Sequence, residues 1–404
     1  MHRTGRLPDT RHTTGGRTRE TACSDSEIVR IAIVTESFLP SLNGVTTSVC
    51  RVLDCLRARG HEAVVIAPSP APREYKGFAV RAVTSVPVRQ FQVGLPTPEI
   101  EAILADFAPD VVHVASPFFL GARGLTAARN LGIPAVALYQ TDMAAYVLQH
   151  GGAAGRPAAR ATWRYLRWVH SMADLNLAPS SAALRDLRAA GVTRTGLWGR
   201  GVDTSLFHPG WRDDAGCRAL RRTLAPGGET VIGYVGRLAP EKEVERLVPL
   251  MDLPGVKVVL TGDGPSRSAL QAAMPGATFL GRREGDDLAR AYAACDVFVH
   301  TGTHETFGQT LQEAAATGLP VVAPRRGGPI DLVDHGRTGL LFDPDDASDL
   351  RRCISSLTVA EDAWERRAVM GEAAHAQVQG RSWAGLVDTL IAHYADLARL
   401  GAAA

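Results

Sequence analysis

A chain of 404 residues, 45% apolar and 21% charged, has material for more than one hydrophobic core and reads as two or three globular domains. Its formal charge of +2 is uneven: residues 1–26 hold five arginines against three acids, and the remainder balances at 39 basic and 39 acidic side chains. The body therefore lacks the global basic footprint of a nucleic-acid binder, and no run of 18 apolar residues suits a membrane span.

Residues 1–27 are expected to form a disordered basic tail, since they lack the apolar stretch of a secretory signal. The six cysteines show neither CxxC nor metal-ligand spacing, as expected of thiols in a reducing cytosol. From Arg30 the pattern alternates: a continuous apolar strand at Arg30–Glu36, a helix at Val45–Arg59, then strands at Glu62–Pro68, Asp110–Ser116, Pro134–Gln140 and Leu175–Pro179. Strands apolar throughout and separated by helices predict a parallel sheet covered on both faces. A turn-rich stretch between Gly199 and Pro226 reads as a linker. The alternation then restarts, with strands at Thr230–Gly236, Val256–Gly262, Ala277–Gly281, Asp296–His300 and Pro320–Ala323. The expected class is α/β, with two doubly wound Rossmann-like domains facing a cleft at the carboxyl ends of their strands. Their expected limits are 28–205 and 206–380, and an amphipathic helix within 381–404 packs back on the first.

The richest stretch runs from His300 to Asp334. After an apolar strand, a loop of small polar residues opens a helix near Phe307, with Thr306 as N-cap and Gln309 three residues on, as in a capping box. The free amides of such a start suit a phosphate. Glu305 in the loop and Glu313 in the helix place an acid on either side, one for sugar hydroxyls and one for ribose. Both acids come from the same half of the chain, which weighs against a two-carboxylate hydrolase. Arg237 and Lys242 follow the first strand of the second unit, where preplaced cations would stabilise a departing diphosphate. Gly44 opens the first helix, where its small size lets backbone approach a phosphate. Gly262-Asp263-Gly264 reads first as turn chemistry, with Asp263 in a secondary ordering role. His113, Gln140 and Asp142 put polar groups at strand ends where a substrate would sit, although a His in an apolar strand is more often simply buried.

Arg160, Arg164 and Arg167 share one helical face flanked by Trp163 and Trp168, opposite Tyr165, Leu166, Val169 and Met172. With no acid nearby, this resembles an interfacial helix facing an anionic membrane surface, and a solvated face on a packed helix fits it equally well. Asp343-Pro-Asp345 sits in a turn and is read as punctuation, so no obligatory metal is expected.

Taken together, Glu305 with Glu313, Arg237 with Lys242, Asn43-Gly44-Val45 and Gly327-Gly328-Pro-Ile-Asp-Leu-Val resemble the family-4 retaining glycosyltransferases of the GT-B fold, from Ile28 onward. Tyr139-Gln140-Thr141-Asp142 and Arg326-Gly-Gly-Pro-Ile-Asp331 are most similar to the actinobacterial GDP-mannose-dependent α-mannosyltransferases that build mannosylated glycolipids. The resemblance implies that Arg237 and Lys242 hold the diphosphate and that Gly44 approaches it from the first domain. It also implies that Glu305, with Thr306, Phe307 and Gly308, binds the donor sugar, that Glu313 binds the ribose, and that Gln309 and Thr310 complete the helix start. The segment containing Arg282 would lie beside the base. The implied reaction moves mannose from GDP-mannose, with retention, to a lipid-linked or small-molecule acceptor at the cytoplasmic membrane face; the alternative is a UDP-sugar donor. Three positions depart from the family: Gln140 where many relatives carry His, Asn43 where a second glycine is common, and Asp331 where Glu is more usual.

Overall fold

The computed structural model describes residues 28–41, 43–88, 91–95, 97–143 and 155–402, so the expected basic tail at 1–27 lies outside the described residues. In the first half the strands are β1 (Arg30–Val34), β2 (Glu62–Pro68), β3 (Glu74–Tyr75), β4 (Phe78–Val83), β5 (Ser85–Val88), β6 (Phe91–Gly94), β7 (Val111–Val114), β8 (Ala135–Leu138), β9 (Leu175–Ala178) and β10 (Thr195–Leu197). Eight of them form a sheet in the order β10-β9-β8-β7-β1-β2-β4-β3, parallel except at the β3–β4 edge, and β5 pairs with β6 as a separate antiparallel hairpin. The second half contributes β11 (Thr230–Val235), β12 (Val256–Thr261), β13 (Thr278–Gly281), β14 (Val297–Val299), β15 (Val321–Pro324) and β16 (Gly339–Phe342). These form a parallel sheet in the order β13-β12-β11-β14-β15-β16.

The central strands are apolar throughout because both faces are covered. Ile31 and Ile33 of β1 join Val49, Val52, Leu53 and Leu56 of the Gly44–Ala58 helix, whereas Ala32 and Val34 join Leu120 and Leu125 of the Phe119–Asn130 helix on the other face. Each Ile, Val or Leu among them contributes roughly 1.5–3 kcal/mol by burial. The Gly44–Ala58 helix starts where Asn43 Oδ1 accepts from the amides of Val45 (3.0 Å) and Thr46 (3.1 Å), which gives the departure at Asn43 a physical role as N-cap.

Beyond the strands expected from the sequence stand β3 to β6, β10 and β16. In β4, Ala79, Arg81 and Ala82 are exposed while Phe78, Val80 and Val83 are buried, so the strand carries no continuous apolar run. That half-buried pattern belongs to a strand near the sheet edge.

The chain crosses between the sheets twice, at one place. The outward crossing follows Trp198, the return precedes Trp383, and Val202 N donates to Arg381 O (3.0 Å) in a parallel bridge between Val202 and Ser382. The Trp383–Ala402 helix then lays Trp383, Val387, Leu390 and Tyr394 into the first core, where Trp198 Nε1 donates to Leu386 O (2.9 Å).

Candidate active site

Loops after β1, β8 and β9 meet loops after β14 and β15, and the side chains singled out in the sequence gather at that meeting. Lys242 lies in a short 3-10 turn (Pro240–Lys242) after β11, and its carbonyl accepts from the Thr301 hydroxyl (2.6 Å) just past β14. Its Nζ donates to Glu305 Oε2 at 2.7 Å. His300 is buried at the end of β14, with Nε2 3.8 Å from the same carboxylate oxygen. Burial alone would raise the Glu305 pKa, but Lys242, His300 and Arg200 outweigh it and hold the carboxyl at about 2. The imidazole of His300 is pushed down to about 4 by burial, against the opposing pull of Glu305. Arg237 is engaged by Glu241 one turn away.

Glu313 lies in the Gln309–Ala316 helix and accepts from the Tyr292 hydroxyl at 2.8 Å. Burial raises its pKa to about 7, opposed by hydrogen bonds from Tyr292 and Gln309. The two glutamates of one motif therefore occupy opposite electrostatic settings.

Thr306 is not the N-cap, and Gln309 closes no capping box. The helix opens at Gln309, capped by Gly308 in the left-handed region (φ +105°), a conformation glycine takes without strain. Thr306 Oγ1 instead donates across the cleft to the Gln140 carbonyl (3.0 Å), and Gln309 Nε2 donates to Gly201 O (3.0 Å). Cross-domain contacts have recruited the two polar groups that local pattern assigned to capping. Phe307 is buried in the second core, Gly308 is likewise buried, and Thr310 is half-buried in the first turn. Gly328 N donates to Glu305 O (2.8 Å), so the Gly-Gly-Pro segment buttresses the Glu305 loop.

In the first domain, Gln140 is buried, with Nε2 donating to Ala115 O (3.1 Å) and Oε1 accepting from Arg200 Nη2 (2.7 Å). Asp142 accepts from the Tyr139 hydroxyl (3.3 Å). His113 is not presented to the cleft: it is fully buried and hydrogen-bonded through Nδ1 to the Tyr394 hydroxyl, tying the last helix to β7. Asp263 is exposed and pairs with Arg267 while accepting from Gly264 N (2.8 Å), a turn role. Arg282 is also exposed and pairs with Glu284. Asp331 reaches the other domain, accepting from both the amide and the hydroxyl of Ser181 at the start of the Ser181–Ala189 helix. The carboxylate at this departure from the family is thus engaged in an interdomain bond.

Sequence reasoning passed over Arg200, which lies in the outward crossing. A Cβ added to Gly44 would sit 2.7 Å from Arg200 Nη1, so the glycine there makes room for a guanidinium. The available signal was a lone cation bracketed by Gly199 and Gly201 in a turn-rich stretch. Glu36 was also passed over; it lies just past β1 and accepts from Gly121 N (3.0 Å), and burial raises its pKa to about 7 against those backbone bonds.

The Gly155–Ser171 helix presents Arg160, Arg164 and Arg167 to solvent and buries Leu166 and Val169. Trp168 is 53% exposed, but Trp163 turns inward and stacks on Tyr139, so only one of the two tryptophans borders the arginine face outward. Phe119, 48% exposed, adjoins Tyr165, which in turn packs against Trp168.

Two family descriptions match the chain: Glycosyltransferase Family 4 over residues 42–206 and Glycosyl transferases group 1 over residues 218–377. It is 48% identical over 375 residues to a GDP-mannose-dependent alpha-mannosyltransferase of Mycolicibacterium smegmatis, covering 91% of this chain and 97% of that protein. A protein of the same description from Mycobacterium tuberculosis is 46% identical, covering 91% and 96%. Among solved structures, Anabaena HepE in complex with UDP superposes with a TM-score of 0.74 at 22% identity, covering 91% of this chain and all of that one.

Proposed function

The chain belongs to glycosyltransferase family 4 and has the GT-B fold, and from that premise we propose that it transfers mannose from GDP-mannose, with retention, to a lipid acceptor at the cytoplasmic membrane face. The observation that carries the reading is the Lys242–Glu305 pair, 2.7 Å apart beside the Gln309–Ala316 helix start and opposite Gln140. A cation and a sugar-binding acid share one spot at the carboxyl ends of β11 and β14, where a nucleotide sugar enters a doubly wound sheet. GDP-mannose is preferred to a UDP-sugar because relatives 46% and 48% identical across nine-tenths of the chain carry that donor in their description.

In this reading Arg237 and Lys242 bind the diphosphate, Glu305 takes donor-sugar hydroxyls and Glu313 the ribose. The acceptor hydroxyl attacks the anomeric carbon on the face from which the phosphate departs. The C1–O bond to phosphate breaks, and the acceptor proton passes to the leaving phosphate oxygen. Gln140 has no titrating proton, and it takes no acid–base part. Stabilisation of the leaving group falls to side-chain cations, and the reading calls for no metal. The arginine face of the Gly155–Ser171 helix, with Trp168 and Phe119 beside it, supports an anionic membrane as the place where the acceptor is met.

Incubation with radiolabelled GDP-mannose and a membrane lipid extract should give a labelled mannolipid. Turnover only with a UDP-sugar overturns the donor, and transfer only to water-soluble acceptors overturns the lipid.

A further inference from the structure

The cations of the cleft differ in what neutralises them. Arg237 is paired with Glu241 and Lys242 with Glu305. Arg200 meets only the neutral amide of Gln140, at 2.7 Å, and its Nε is buried with no hydrogen-bond partner. Among the described residues no carboxylate pairs with it. A guanidinium partly withdrawn from water with no carboxylate in contact is left under-neutralised, a cost met when an anion binds.

Its position is fixed from both sides. Gln312 Nε2 donates to Arg200 O (2.8 Å) and Gln309 Nε2 to Gly201 O (3.0 Å), pinning the backbone to the second domain. The side chain reaches the first domain, against Gly44 and Gln140. Gln140, which holds the guanidinium through its side chain, accepts through its carbonyl from the hydroxyl of Thr306, the neighbour of Glu305. It therefore lies between the Gly44 loop and the Lys242–Glu305 pair.

Resting on the nucleotide-sugar reading above, we propose that Arg200 binds the sugar-side phosphate of the donor's diphosphate, as a third cation delivered by the interdomain crossing. Gln140 holds the planar fork in place, and the fork meets phosphate oxygens in a way a point-charge ammonium does not. Because negative charge grows on that phosphate as the sugar leaves, the contact strengthens in the transition state.

Calorimetric titration with GDP and with GMP, on the full chain and on Arg200→Met and Arg200→Lys, isolates the contact. We expect Arg200→Met to weaken GDP at least tenfold and GMP less than twofold, to lower kcat for transfer by about a hundredfold or more, and Arg200→Lys to restore only part of the GDP affinity. Retained GMP binding shows that the variant is folded. Equal weakening of both nucleotides, or no change in either, overturns the inference while leaving the nucleotide-sugar reading in place. If the unaltered chain binds neither nucleotide, that reading fails first and the role of Arg200 fails with it.

Discussion

Glu305 and Glu313 come from one loop and helix, yet their carboxyls are held at about 2 and about 7. The difference is the cation: Lys242 stands against Glu305, whereas the hydrogen bonds to Glu313 from Tyr292 and Gln309 only partly offset burial. Because the Glu313 pKa is raised to about 7, the carboxyl carries its proton below that pH, and with it goes the anionic acceptor that the proposed ribose contact needs. GDP affinity should therefore weaken as pH falls from 8 to 6, approaching tenfold per unit below 7, and Glu313→Gln should flatten that dependence. For Lys242→Ala and Glu305→Ala, kcat for mannosyl transfer should fall by on the order of 10²–10³. Turnover that survives both substitutions would place the site elsewhere. At this scale Lys242 and Glu305 were legible as a cation and an acid after apolar strands, whereas Glu36, which also follows an apolar strand, was passed over. Thr306 and Gln309 were misread because their partners, Gln140 O and Gly201 O, lie far away in the chain. Arg200 was hidden in a segment that reads as a linker, since a guanidinium's destination is set by the fold.

Among the elements, the buried strands were readable and the edges were not. β1, β8 and β11 carry apolar runs because helices cover both their faces, whereas β4 alternates and β3 has two residues. The Trp383–Ala402 helix is the element most dependent on a distant partner. Tyr394 is fully buried, and its hydroxyl meets His113, whose pKa burial lowers to about 3, so the imidazole is neutral at ordinary pH. Tyr394→Phe leaves that ring nitrogen without a partner, at a cost of about 1–3 kcal/mol. The first unfolding transition should drop by a few degrees in calorimetry, with GDP affinity unchanged. An unaltered melting temperature would show that the His113–Tyr394 bond contributes nothing to docking the helix.

For the molecule as a whole, the charge balance is nearly even, and the exposed arginine face of the Gly155–Ser171 helix is a local exception. Exchanging Arg160, Arg164 and Arg167 together for Ala should weaken sedimentation with phosphatidylserine-containing vesicles at low salt, by roughly 1 kcal/mol per arginine near the surface. Raising the ionic strength should reproduce the effect in the unaltered chain. Unchanged sedimentation would remove the membrane from the reading while leaving the donor site intact.

The paired crossings at Val202 and Ser382 make the second domain an insert carried on a two-ply ribbon. Once the Thr306–Gln140 and Ser181–Asp331 bonds let go, a body joined at one such place turns about it like a lever, and each atom moves in proportion to its distance from the ribbon. Arg200 lies two residues from Val202, at the fulcrum, and barely shifts for a given rotation. Surfaces far from the ribbon travel the widest arc. The fold thus places Arg200 where such a rotation moves it least, and puts the widest travel at the end of the cleft away from the ribbon.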